Sequence, residues 1–182
     1  MSPSKKTEVK RFMRAIERPA LDLLLVLQDV EDPVNVGSIF RVADAIKATE
    51  IVLTGISAKP PHKLISKVGR GKDQRVRWRY VESIEEALSS AKAAGYRIHA
   101  VEITPEAKPY DEADYSEKTC LLVGHEDHGV TKKALALVDR TIFIPMFGKG
   151  ASLNVHVALS VVAFHVVSDR RRCATNPSSS TG

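Results

Sequence analysis

IPMFGKGASLNVHVAL, from Ile144 to Leu159, packs three structural signals into one short stretch. A strand ends at Ile144, a loop follows through Gly148 and Gly150, and a polar helix start at Ser152 and Asn154 opens onto an apolar helix. Ser152 and Asn154 fall where a helix exposes backbone N–H groups that lack intrahelical partners. Loops that end on helix N-termini are common sites for anionic or polar ligands. The stretch therefore reads as a βα unit carrying a ligand loop.

Working outward, the chain repeats that alternation. Leu21 to Gln28 is an apolar run of strand length, which reads as a buried strand. Val36, Ile39, Phe40, Ala43 and Ile46 recur at helical spacing, predicting a helix over 35–47. Strands follow at 50–54, 97–101, 119–123 and 141–144, with a short helix opened by Pro60-Pro61 and ending at Ser66. Ser83 and Glu86 form a capping-box pattern that starts a helix to Ala94, and Gly95 ends it. Residues 104–118 read as a polar loop and 131–138 as a helix, and the last helix spans 152–169. Between Gln74 and Val81, Val76, Trp78 and Tyr80 alternate with Arg75, Arg77 and Arg79, predicting a half-exposed strand with a basic face. Alternating strands and helices give an α/β class with a largely parallel sheet flanked by helices. Residues 1–20 form a basic, helical extension with a modest apolar stripe at Phe12, Met13 and Ile16. Residues 21–169 form the folded domain, and 170–182 read as a basic, Ser-rich, disordered tail.

The chain has 182 residues and a net charge of +5, a length suited to one domain and a balance suited to a polyanionic partner. The cationic residues cluster. Lys63, Lys67, Arg70, Lys72, Arg75, Arg77 and Arg79 lie in one run around Trp78 and Tyr80. The two cysteines form no disulfide framework or metal pattern, and Cys120 reads as a buried free thiol, so a reducing cytoplasm is expected. The N-terminus has no apolar signal core, and the longest apolar stretch, 155–167, is too short and too polar to span a membrane. No phosphate loop or Gly-x-Gly-x-x-Gly fingerprint is present.

Two further segments carry chemistry. NVGSIFRVADA, Asn35 to Ala45, places Asn35 at a strand-to-helix turn and Arg41 about two turns into the helix. Alone, these read as a helix cap and a solvated surface residue. GHEDHG, Gly124 to Gly129, sets two His at i and i+3, which does not match the i, i+4 zinc pattern, so no metal is expected. Alone, Glu126 reads as a charge near the N-terminus of the following helix.

Taken together, Asn35, Gly37 and Arg41, then Gly124, Glu126 and Gly129, then Ile144, Pro145, Met146, Ser152, Leu153, Asn154, Val155, Val157 and Ala158 resemble the SpoU (TrmH-like) branch of the SPOUT RNA methyltransferases. The resemblance runs from about Leu23 to Val167. It implies a C-terminal deep trefoil knot, S-adenosylmethionine as methyl donor, a ribose 2′-hydroxyl as acceptor, and a homodimer. It also implies that Thr104, Gly124, Ile144, Met146 and Leu153 hold the cofactor, and that Arg41, Asn35, Glu126, Ser152 and Asn154 form the catalytic set. The basic run from Lys63 to Arg79 lies where family members engage RNA.

Guanidinium keeps its proton in proteins, so Arg41 suits electrostatic stabilisation of a developing alkoxide better than base catalysis. Strings at 114–120 and 131–137 look most like the enzymes that methylate a guanosine ribose in the tRNA D-loop, which favours tRNA over rRNA. A non-enzymatic RNA-binding factor on the same scaffold is the alternative from another class. His156 departs from the family pattern, which usually has Ser there. It either packs quietly or adds a titratable group, and packing is the expectation.

Overall fold

A computed structural model describes residues 5–150 and 152–175. Seven strands form its centre: β1 (Asp22–Gln28), β2 (Glu50–Thr54), β3 (Trp78–Val81), β4 (Arg97–Val101), β5 (Lys108–Pro109), β6 (Lys118–Val123) and β7 (Arg140–Phe143). Their spatial order is β3-β2-β1-β6-β4-β7-β5, and every pairing is parallel. Six helices surround them: α1 (Lys5–Ala15), α2 (Pro33–Ile46), α3 (Lys63–Gly69), α4 (Ile84–Ala93), α5 (Lys132–Leu135) and α6 (Val155–Thr175).

The continuous apolar run of β1 has a direct cause. Leu23, Leu25 and Leu27 face a core shared with Ile39 and Phe40 of α2 and with Leu159, Val162 and Val166 of α6. Leu24 and Val26 face the opposite core, built on Leu88 of α4 and Ala134 of α5. With both faces covered, no position between Asp22 and Gln28 at its two ends favours a polar side chain. Leu25 sits between Ile51 of β2 and Leu121 of β6, at the middle of the sheet.

Helix α2 starts where Asp32 Oδ1 accepts a hydrogen bond from the Val34 amide at 2.8 Å, and Pro33 supplies the preset φ of a first turn. Asn35 therefore lies inside the first turn, and Asp32 is the residue that caps it. Gly37 has a packing reason, because a Cβ there would come within 2.9 Å of the Ile65 carbonyl oxygen of α3. Ser83 caps α4 as its sequence pattern predicts, accepting from the Glu86 amide.

Several expected boundaries move. The predicted strand from Gln74 begins only at Trp78, because Lys72–Gln74 forms a 3₁₀ turn. That turn is tied back to α3 by Ser66 Oγ donating to the buried Asp73 carboxylate at 2.8 Å. The short helix opened at Pro60-Pro61 lies later than expected, at Lys63–Gly69, after His62 caps it. The 131–138 helix is confined to Lys132–Leu135. The polar loop over 104–118 contains the short strand β5 and the buried Tyr115.

The final helix begins at Val155, with Ser152 and Asn154 preceding it, and it runs on to Thr175. Arg170, placed by the sequence reading at the start of a disordered tail, is instead helical, and its guanidinium meets Glu117 at 3.2 Å. Residues 176–182 of the expected tail lie outside the described residues. The basic N-terminal segment is helical as α1, and its apolar stripe points to solvent, with Phe12 69% and Met13 60% exposed.

Candidate active site

The C-terminal ends of β4, β6 and β7 open onto a cleft of about 590 Å³. In parallel α/β sheets this end is where ligands collect. Thr104, Gly124, Ile144, Met146 and Leu153 all line it, as do Glu126 and Ser152. Val101, Ile103, Val130 and Leu135 add apolar wall, while Glu102, Asp127, His125 and His128 supply polar groups.

The loop over 124–129 is built tightly. His125 and Gly129 exchange backbone hydrogen bonds of 3.1 and 2.9 Å. The close approach at Gly124 is to the chain itself, since a Cβ there would fall 2.2 Å from the Gly129 carbonyl. The missing side chain at Gly124 thus makes room for the loop's own backbone. Gly129 has φ +65°, and a Cβ on it would strike the Glu102 carboxylate. Glu102 accepts from the Val130 and Ile103 amides at 2.8 Å each.

Glu126 reaches out of this loop to the start of α2. Its carboxylate accepts from the Asp32 amide at 3.2 Å, the Glu31 amide at 3.3 Å and Asn35 Nδ2 at 2.9 Å. Partial burial raises its pKa, but these hydrogen bonds outweigh that and hold it below the ordinary carboxylate value. Asn35, only 3% exposed, turns its other amide atom to His156, whose Nδ1 lies 3.0 Å from Asn35 Oδ1. Asn154 Oδ1 accepts from the His156 backbone amide at 3.0 Å and so caps α6. His156 therefore does more than pack, because it ends a side-chain chain that starts at the cleft.

Three of the expected catalytic residues, Arg41, Asn35 and Asn154, lie off the cleft wall. Arg41 is exposed on α2, and Asn154 is engaged at the α6 N-terminus. In the basic run, Lys63, Lys67, Arg70, Arg75 and Arg77 are exposed. Lys72 is paired with Asp44 at 2.5 Å, and Arg79 with Glu50 at 3.0 Å. The expected cationic face is thus narrower than its sequence, because two of its members are neutralised by carboxylates on neighbouring elements. Tyr80 lies outward, donating to the Gly55 carbonyl, with the Lys59 ammonium 3.6 Å from its ring centre.

Sequence reasoning missed Glu102, and the available signal was its position just past the end of a buried parallel strand. It missed the Asn35–His156 bond because the partners are 121 residues apart. Among the described residues, no group of three His, Cys, Asp or Glu side chains gathers as a metal site, and no helix is long and apolar enough to cross a membrane.

Comparison with known proteins adds independent findings. The model of the SpoU rRNA Methylase family matches residues 22–164. The tRNA (guanosine(18)-2′-O)-methyltransferase of Escherichia coli is 31% identical over 165 residues, covering 91% of this chain and 71% of the relative. That of Thermus thermophilus is 32% identical, covering 88% and 82%. Among solved structures, the A. aeolicus TrmH/SpoU tRNA modifying enzyme matches with a TM-score of 0.78 at 25% identity, covering 97% of this chain and 89% of that one. The SpoU methyltransferase AviRb from Streptomyces viridochromogenes, in complex with the cofactor AdoMet, matches with a TM-score of 0.74 at 26% identity, covering 87% and 61%.

Proposed function

The chain belongs to the SpoU rRNA methylase family, and on that premise we propose that it methylates a ribose 2′-hydroxyl of structured RNA, with tRNA the favoured substrate. It is an S-adenosylmethionine-dependent RNA 2′-O-methyltransferase. The observation that carries the reading is the cleft. Residues from three separate stretches, Thr104, Gly124 to Glu126 and Ile144 to Leu153, converge on it. The preference for tRNA is supported by the names of the relatives from E. coli and T. thermophilus.

The cleft suits the cofactor by its chemistry. Val101, Ile103, Leu135 and Ile144 give apolar surface for a purine, and the Glu102 and Glu126 carboxylates favour a cationic ligand. Thr104, Gly124, Ile144, Met146 and Leu153 are the residues that would hold it. Bound there, S-adenosylmethionine supplies an electrophilic sulfonium methyl group.

The chain's own task is alignment and charge management. Ser152, on the cleft wall, offers a hydroxyl toward the reacting oxygen. Asn154 keeps the α6 N-terminus in place beside it. Glu126 fixes the entry of α2, and with it the helix that carries Arg41. Arg41 stays protonated and stabilises negative charge growing on the ribose oxygen, or grips the adjacent phosphate. The exposed cations Lys63, Lys67, Arg70, Arg75 and Arg77 supply a backbone-binding surface for RNA, and Lys72 and Arg79 border it.

Two further features belong to the reading. The segment from β7 to α6 forms the trefoil knot of the family. The protein works as a homodimer, supported by the exposed side chains Val157, Val161 and Phe164, which recur along one side of α6. The free cysteines Cys120 and Cys173 suit a reducing cytoplasm.

Incubation with methyl-labelled S-adenosylmethionine and unmodified tRNA or rRNA, followed by nucleoside analysis, tests the reaction. Label in a 2′-O-methylnucleoside from tRNA is expected. Label from rRNA alone would reassign the substrate, and label in a methylated base would overturn the reaction class.

A further inference from the structure

Methylation of a hydroxyl releases a proton, and the residues assembled so far offer no ready acceptor. Arg41 stays protonated, and Ser152 and Asn154 are not basic at neutral pH. Glu126 is ionised, but its oxygens already accept three hydrogen bonds. His156 is different, and its state follows from the bonds around it. An ionised Glu126 can only accept, so Asn35 must direct its Nδ2–H toward Glu126 and its Oδ1 toward His156. An amide oxygen can only accept, so His156 Nδ1 must carry the proton.

In the neutral imidazole that leaves Nε2 with a lone pair. Nε2 has no hydrogen-bond partner among the described residues, yet it is not sealed off from solvent as both nitrogens of His99 are. No charged side chain lies within ion-pair distance of the ring among those residues. His156 lies in the first turn of α6, four residues after Ser152 and next to Val155; both of those line the cleft, while His156 itself is not on its wall.

We propose that His156 is the proton acceptor for the ribose 2′-hydroxyl, held in the Nδ1–H tautomer by Asn35, which Glu126 in turn orients. The inference rests on the methyltransferase reading above. In the step, the ribose oxygen forms a bond to the methyl carbon while the carbon–sulfur bond breaks, its electron pair staying on sulfur. The hydroxyl proton passes to His156 Nε2 and leaves from there to solvent. Asn35 and Glu126 act as positioning residues. Ser, the usual family residue at this position, has no nitrogen lone pair, so this route is particular to a chain with His here.

Two measurements test the proposal. Imidazole nitrogen shifts of histidine-labelled protein report the tautomer without any turnover. Protonated Nδ1 and bare Nε2 are expected in the wild type, and the Nε2–H form is expected to gain population in Asn35→Ala. A wild-type Nε2–H tautomer would overturn the proposal. In steady-state methylation, His156→Gln keeps a donor for Asn35 but lacks a basic nitrogen, and His156→Ala leaves room for a small base. Both are expected to lose about 100-fold in kcat, within the usual range for general-base removal. KM values should stay within about twofold, and free imidazole should restore rate to the Ala variant only. A His156→Gln enzyme at more than half the wild-type rate would overturn the role. A wild type that binds S-adenosylmethionine but methylates no RNA would overturn the parent function and the proton route with it, while the nitrogen shifts would still report the tautomer.

Discussion

Glu126 links the cleft to α2 through three accepted hydrogen bonds, so changing its charge is felt at both places. Glu126→Gln keeps the shape but offers an amide donor where only acceptors fit. We expect it to lower stability by about 1–3 kcal/mol, read by urea denaturation, and to reduce turnover as well. Because its folded pKa is depressed, the stabilisation from its carboxylate is present above the ordinary carboxyl value and is lost as pH falls through the lower folded one. His99 gives a second handle of the same sign at higher pH. It is fully buried against Tyr115, and neither ring nitrogen has a hydrogen-bond partner among the described residues. Burial first, then the charge of Arg97, lowers its pKa from 6.5 to about 4. The unfolded chain therefore takes up a proton that the folded one refuses. Stability should be full above about pH 6.5 and should fall by up to ~3 kcal/mol as the pH drops toward 4. His99→Phe should flatten that part of a stability–pH curve, and an unchanged slope would place the titration elsewhere.

At the scale of elements, α2 is the most informative. Asp32 caps it, Gly37 lets α3 approach, and its buried face recurs at helical spacing. Asp32→Ala should cost about 1 kcal/mol by loss of the cap. Helix α2 and the strands β1, β2 and β4 were legible almost residue for residue, because full burial writes an apolar signal into every turn or both strand faces. Elements whose limits depend on distant partners were not legible. β3 starts late because Ser66 and Asp73 hold the preceding 3₁₀ turn, and α6 runs past Arg170, which pairs with Glu117 far away in the sequence. The candidate site divides in the same way. Thr104, Gly124, Ile144, Met146 and Leu153 could be named from motif resemblance and do share one cleft. Glu102 lacked a motif, and the partnership of Asn35 with His156 depends on how α2 and α6 cross, which local pattern does not encode.

For the whole molecule, the exposed Val157, Val161 and Phe164 predict its assembly. Light scattering at micromolar concentration should give twice the chain mass, and Phe164→Glu should give monomers, with methyl transfer lost if the dimer completes the site. The basic surface predicts a salt response. Replacing Lys67, Arg75 and Arg77 with Ala should weaken RNA binding and make it less steeply dependent on salt, whereas Lys72→Ala should change it less because Asp44 already neutralises that charge. The order of the strands also has a consequence in time. The innermost pair joins β1 to β6, so Asp22 meets Lys118 about a hundred residues later in synthesis. Until then β1 has only β2 beside it and leaves its other edge, along the apolar run from Leu23 to Leu27, unpaired. A newborn chain must therefore guard its own centre longer than its rim, and any slowdown between Gly55 and Glu117 would lengthen the interval in which neighbouring chains can bind that edge before β6 does.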